Sequence, residues 1–420
     1  MNHIFKKFIV VISLFLFKPE NTYSLSISEL MTITNDNSLV IQADYEYLKK
    51  FQNDIELAKK NNDPSISLSG FVGAKHQETD SSEASFNPRN ISLTMSKNLF
   101  DGYKTKYSII QANDLSLHAN YLFETLKQNV YLESINSYLD LIHLRQSYNL
   151  TEKSLKLSKN NLDFKVQQHN SGDISDIELE KAKLEYSKYK FSLNKIQISI
   201  SNQEDQLLDY LSTVPSTNKY PDFMDRNLDL SSEALIEFAI YNNPSIKSSQ
   251  IYLKILEHSK MIERSANLPK VDLEAGFSRN WDATDSAGQA DEYSIIGSIS
   301  IPLYESEEVN IKESNIDLDI IRNDKILKDQ INTLKREINS LLDQIELLNT
   351  EYEIENNQKE IYEKDIEINK ESYNVGSASK LDIYDSQIEY NEHLISMAQI
   401  MNSKQKAHYL LLNKIGKLTQ

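Results

Sequence analysis

From Pro302 to Gly376 the chain contains no glycine and no second proline, and within that span the stretch from Asn315 to Glu371 reads as one very long helix. Its apolar and aromatic positions are Ile320, Leu327, Ile331, Leu334, Ile338, Leu341, Ile345, Leu348 and Tyr352. Past Leu327 the steps alternate between four and three, the seam of a helix packed coiled-coil fashion. At about 1.5 Å per residue, a helix of roughly 60–70 residues reaches on the order of 100 Å, several times the thickness of a small domain. A rod of that length needs other rods to bury its seam.

The chain supplies a second rod by internal repetition. Lys97–Gly102 (KNLFDG) aligns with Ile301–Ser306 (IPLYES) at an offset of 204 residues, and the same offset carries Asn170 and Gly172 onto Asn374 and Gly376. A surface loop tolerates drift in length at little entropic cost, whereas paired rods that end at one level do not. The expected organisation is a signal peptide at 1–24, a first repeat at 25–212, a connector at 213–230 and a second repeat at 231–420. Each repeat is expected to hold a helix, a β-hairpin and a long helical hairpin.

Met1–Ser24 has the pattern of a secretory signal: Lys6 and Lys7, then an apolar run from Phe8 to Phe17 that is too short to span a membrane as a helix. The chain has no cysteine, which excludes disulfides, thiolate sites and lipid attachment through a cysteine. With no other apolar run near 18 residues, a mature chain that sits in a membrane must do so through β-strands. The net charge of −17 argues against a nucleic-acid partner.

In chain order, Ser28–Lys60 reads as one helix, stopped by Asp63-Pro64. Ile66–Gly73 alternates, with Ile66, Leu68, Gly70 and Val72 on one face. Lys75–Asn90 reads as a polar loop, and Ile91, Leu93 and Met95 alternate with Ser92, Thr94 and Ser96 to complete a hairpin. The first long helix is expected from about Tyr103 to His169, with Leu132, Ile135, Leu139 and Ile142 in its seam. The turn at Ser171-Gly172-Asp173 precedes a returning helix, Ile174–Leu211. Ser231 or Ser232 caps the next helix. Strand three sets Val271, Leu273, Ala275 and Phe277 against Asp272, Glu274, Gly276 and Ser278. After a polar loop from Asp282 to Asp291, strand four sets Tyr293, Ile295, Gly297, Ile299 and Ile301 against serines. Beyond Gly376, Lys380 to about Lys414 returns.

Strands of this length and alternation suit a membrane barrel, but four cannot close one, and an open sheet edge is not tolerated in lipid. Several chains must therefore contribute strands, and a ring of strands continued by a ring of helical hairpins makes a tube. In this light the chain resembles the TolC-type outer membrane efflux proteins. The resemblance covers essentially the whole mature chain. It rests on the tandem repeat, LSLSGF, KNLFDG before a long helix, NNPSI, and the turns HNSGDISDIE and YNVGSASKLDIYDSQIEY. It implies a mainly α protein with membrane β: a trimeric α/β-barrel tube with four strands and two long helical hairpins per chain. The implied homotrimer is a passive outer-membrane duct reaching into the periplasm, serving a tripartite efflux pump or type I secretion system. Its implied partners are a periplasmic adaptor and an inner-membrane transporter, together with outer-membrane lipid.

The resemblance also implies a constricted tip. Asp382 and Asp385 match the family's acidic lining residues, and their i, i+3 spacing puts them on one helical face. Threefold symmetry would gather six carboxylates in a ring that favours cations. The competing reading is that they complement the positive end of a helix. Tyr373 matches a tip tyrosine, while Ala378 stands where the family's arginine is expected, with Lys380 nearby. In the first repeat Glu178 matches Asp382, but Lys181 matches Asp385, so that turn lacks the acidic pair. Gly172 and Gly376 are the tip turns, and Val271, Leu273, Ala275 and Phe277 the lipid-facing row. Phe71, Phe100, Phe277, Trp281, Tyr293 and Tyr304 are candidates for interfacial girdles. The remaining acids of the rods read as solvated faces. No metal pair, catalytic constellation or cofactor motif is visible, so no enzyme is expected. A periplasmic coiled-coil adaptor is the alternative, and it predicts a single hairpin flanked by lipoyl-like β segments. A secreted coiled-coil scaffold leaves the duplicated strands unexplained.

Overall fold

The computed structural model describes residues 25–80, 82–221, 231–283, 288–303 and 307–418. The expected signal peptide, Tyr304 and the end of the connector lie outside these. Helices α1 (Ile27–Asn37) and α2 (Leu39–Lys60) lead to strand β1 (Ser65–Val72). Strands β2 (Lys75–Thr79), β3 (Ser82–Phe86) and β4 (Arg89–Asp101) follow, then helices α3 (Lys104–Asn170) and α4 (Asp176–Leu207). The second half runs α5 (Ser232–Asn242), α6 (Pro244–Arg264), β5 (Lys270–Trp281), β6 (Gln289–Ser300), α7 (Glu308–Asn374) and α8 (Lys380–Lys414). Helices α3 and α7 both hold 67 residues, and a displacement of 204 relates their first residues and their last.

Three local expectations are corrected. Ser28–Lys60 is two helices, because Ser38 caps α2, its side chain accepting the Ile41 N–H at 3.5 Å. The polar loop Lys75–Asn90 contains an antiparallel hairpin, β2 against β3, in which β2 is exposed along its whole length and offers no apolar alternation to announce it. Strand β4 continues past Ser96 to Asp101, through a bulge at Leu99.

Two contact-dense units divide the chain, each drawing on both halves. Among the described residues, one comprises 25–33, 135–221 and 354–402; the other comprises 34–134, 231–353 and 403–418. In the second, the α7 seam is buried as expected at Leu327, Leu334, Ile338, Leu341 and Leu348. It shares that core with fully buried Leu235, Tyr409, Leu411 and Leu412. Each such aliphatic side chain contributes about 1.5–3 kcal/mol on burial.

In the first unit the seam of α3 has a different chemistry. Past Ile142 its buried row is Ser147, Thr151, Ser154, Ser158 and Asn161, with the same alternation of four and three but small polar side chains. Their size lets α8 lie close, and their hydroxyls and amides register it. Asn391 donates to Ser154 Oγ at 3.2 Å, and Asn402 donates to Asp140 at 2.8 Å.

Candidate functional site

Within its unit, the main sheet has the order β1-β4-β5-β6, antiparallel throughout, and β4–β5 is the pairing that joins the two repeats. Its register aligns the apolar rows. Leu68 stands opposite Leu93, Leu93 opposite Phe277, and Phe277 opposite Tyr293; Ile66, Met95, Ala275 and Ile295 form the next line. Directly opposed residues share a face, so Val271, Leu273, Ala275 and Phe277 belong to one largely apolar face, interrupted on β4 by Lys97, which stands opposite Leu273 and donates to Asn62 O. From Val271 to Phe277 that face spans roughly 20 Å at about 3.3 Å per residue. It is uncovered: Ile66, Leu68 and Ile295 are 71%, 73% and 82% exposed.

The reverse face is hydroxylic and acidic. Ser65 and Ser96 meet at 2.6 Å, Ser69 and Ser92 at 2.7 Å, and Asn98 donates to Asp272 at 2.7 Å. Among the described residues, the outer edges of β1 and β6 pair with nothing. Of the aromatic residues singled out, Phe277 and Tyr293 are neighbours on the apolar face, 5.0 Å apart. Trp281 ends β5, Phe100 lies near the helical end of β4, and Phe71 lies on the other face.

In the other unit, the two helical turns are built alike. Gly172 and Gly376 take φ of +83° and +81°, the left-handed conformation that ends a helix at little cost for glycine. The Gly172 N–H donates to His169 O and the Asp173 N–H to Gln168 O. Gly376 and Ser377 make the same pair of bonds to Tyr373 O and Ser372 O. Each returning helix then opens on a capping box. Glu178 accepts the Ser175 N–H at 3.3 Å, and Asp382 accepts the Ser379 N–H at 2.6 Å. The side chain of Tyr373 is 44% exposed. Ala378 donates its N–H to Ser372 O, and the Lys380 ammonium lies 5.8 Å from the centre of the Tyr384 ring.

Asp385 has a different position. Asn161 donates to its Oδ1 at 3.3 Å, tying α8 to the end of the polar seam of α3. Desolvation by the packed helices raises its pKa, repulsion from Asp382 adds to that, and Lys165 opposes it. One helical turn or two further along are two acids that sequence reasoning assigned to solvated faces. Glu185 is half-buried, and its pKa is raised by burial, by Asp385 and by Glu392. Glu392 accepts the Tyr189 hydroxyl at 2.6 Å. Together with Thr151, Ser154, Lys188 and Ser192 they line a cleft of about 400 Å³. The available signal was the heptad spacing of Asp385 to Glu392 on α8 and of Glu185 to Ser192 on α4.

This unit also exposes two apolar rows of heptad period. Ile177, Leu184, Phe191 and Ile198 on α4, and Ile354, Ile361 and Ile368 on α7, are each more than half exposed. Residues seven apart return to the same side of a helix, so each row is a seam with no partner among the described residues. Among the described residues, no helix is long and apolar enough to cross a membrane.

Comparison with known proteins agrees with this geometry. Residues 235–416 match the family model described as outer membrane efflux protein. The outer membrane efflux protein BepC of Brucella suis biovar 1 (strain 1330) is 20% identical over 340 residues, which are 78% of this chain and 72% of that protein. A membrane protein from Pseudomonas aeruginosa superposes with a TM-score of 0.81 at 14% identity, over 95% of this chain and 92% of the other. The outer membrane protein VceC of Vibrio cholerae superposes with a TM-score of 0.77 at 13% identity, over 93% and 96%. Over residues 235–416 the chain is therefore similar to the outer membrane efflux proteins, and over more than nine-tenths of its length it shares the fold of these solved membrane proteins.

Proposed function

We propose that the chain is one of three identical protomers of a passive duct. In this reading its strands close a barrel in the outer membrane, and its helices extend into the periplasm. The observation that carries the reading is the sheet itself, with a largely apolar face exposed and, among the described residues, both outer edges unpaired. Lipid accepts such a face only when further strands complete a ring. The uncovered heptad rows on α4 and α7 ask for the same neighbours. A periplasmic adaptor with one hairpin does not account for two hairpins of matched length or for the four-stranded sheet.

Within the duct, Val271, Leu273, Ala275 and Phe277 face lipid, and the serine and carboxylate face lines the lumen. Asp382, Asp385 and Tyr373 sit at the tip, with Glu178 at the corresponding place in the first repeat. The acids Glu185 and Glu392 prolong the negative lining along α4 and α8. A duct of this kind performs no chemistry. It conducts cargo delivered by a periplasmic adaptor and an inner-membrane transporter, as a tripartite efflux pump or a type I secretion system would supply it. Single-channel recording of the purified mature protein in planar bilayers tests the reading. Discrete conductance steps with cation preference are expected, and a protein that inserts into no bilayer overturns it.

A further inference from the structure

The junction of β4 and α3 carries an interfacial cleft. Asp101, Gly102 and Tyr103 turn the chain from strand to helix, with φ of +67° at Gly102 and +69° at Tyr103. A side chain at Gly102 would bring its Cβ to 2.6 Å from Ser265 O, so only glycine fits there. The Asp101 carboxylate is engaged locally, accepting the Thr105 N–H at 2.8 Å and its hydroxyl at 2.5 Å. The left-handed Tyr103 projects its ring outward, 52% exposed and edge-on to Phe100 at 5.1 Å. The β-bulge leaves Leu99 57% exposed beside them. A cleft of about 520 Å³ results, with Leu99, Phe100, Ile109 and Ile110 supplying apolar wall.

The Lys106 ammonium lines this cleft. It lies 5.7 Å from the Tyr103 ring centre and 5.8 Å from that of Tyr107. Among the described residues no carboxylate pairs with it, and exposed Lys104 adds a second positive charge nearby. An apolar wall at the end of an uncovered apolar sheet, topped by aromatic rings and an unneutralised ammonium, matches the two halves of a lipid. Acyl chain fits the wall, and phosphate fits the cation.

We propose that this cleft binds the headgroup of an anionic glycerophospholipid from the periplasmic leaflet, with Lys106 on the phosphate and Leu99 and Phe100 against an acyl chain. The inference rests on the membrane-duct reading, because that reading puts the helical end of the sheet at this leaflet. It anchors the junction at a fixed depth.

Native mass spectrometry of the detergent-solubilised mature protein, titrated with phosphatidylglycerol, tests it. Wild type and Lys106→Arg should retain one lipid per chain, and Lys106→Gln should bind at least tenfold more weakly. Lys247→Gln should bind as wild type does, since Lys247 also lies over two tyrosine rings but on α6, away from the sheet. Equal retention by Lys106→Gln and wild type overturns the proposal. So does Lys106-dependent binding of lipid A with none of phosphatidylglycerol. Capture of a second copy by a photo-crosslinker attached at Lys106→Cys in native membranes, showing that a neighbouring protomer fills the cleft, overturns it too. Wild type that conducts in bilayers but retains no phosphatidylglycerol removes the lipid site alone. Wild type that neither conducts nor binds lipid removes the duct reading and this site with it.

Discussion

The Asp382 carboxylate accepts the backbone N–H of Ser379 at 2.6 Å, so the residue matched to a channel constriction also caps the helix that follows the turn. The two roles separate by substitution. Ser379→Ala removes the side-chain half of the capping box but leaves the charge, and should cost about 0.5–2 kcal/mol of stability. Its ion selectivity in planar bilayers should equal that of wild type. The Asp382→Ala, Asp385→Ala double variant should lose much of its cation preference and its block by divalent ions. Unchanged selectivity in the double variant would leave these residues with structural roles only.

Asp385 and Glu185 carry raised pKa values in the fold, chiefly through burial. A carboxyl group raised in this way stabilises the folded protein when protonated, and the benefit is lost as pH climbs from the ordinary carboxylate range through the raised value. Asp385→Asn should therefore raise Tm at neutral pH, with the gain shrinking to nothing as pH falls below that range. Melting curves of the two proteins across pH should converge on the acid side. A gain that instead grew toward low pH would contradict the assignment of burial as the cause.

The apolar sheet face and its reverse should differ in what they tolerate. Leu273→Arg puts a charge in the lipid-facing row and should cost about 2–4 kcal/mol near the midplane. Glu274→Arg, on the opposite face, should assemble normally. The yield of folded protein in outer-membrane fractions measures both. Equal defects would mean that the facing is reversed or absent.

Much of this was legible in the sequence because it is written in breakers and periods. Glycine and proline punctuate the rods, the offset of 204 sets their equal lengths, and strict alternation named the apolar row of β5 before its neighbours were known. What escaped notice has polar chemistry. The buried row from Ser147 to Asn161 keeps heptad spacing but is invisible to an apolar count, and β2 and β3 bury neither face. Ser38 lies within an unbroken helical pattern, so only its capping bond reveals the break. Glu185 and Glu392 look like surface acids until α4 and α8 are brought together through Tyr189.

The exposed rows on α4 and α7 make a separate prediction about assembly. Ile361→Asp or Phe191→Asp should leave helix content intact while lowering the trimer fraction, because each charge falls in a seam that only another copy would cover. Circular dichroism and chemical cross-linking in membranes read the two effects. A stable trimer in both variants would show that these rows face solvent.

As a duct, one chain cannot complete the membrane structure and three can. The direct test is the protein mass of the mature chain in detergent by multi-angle light scattering, with the detergent contribution subtracted. A mass three times that of a single chain is predicted, with precipitation once the detergent is removed. A monodisperse single chain that stays in solution without detergent would contradict it.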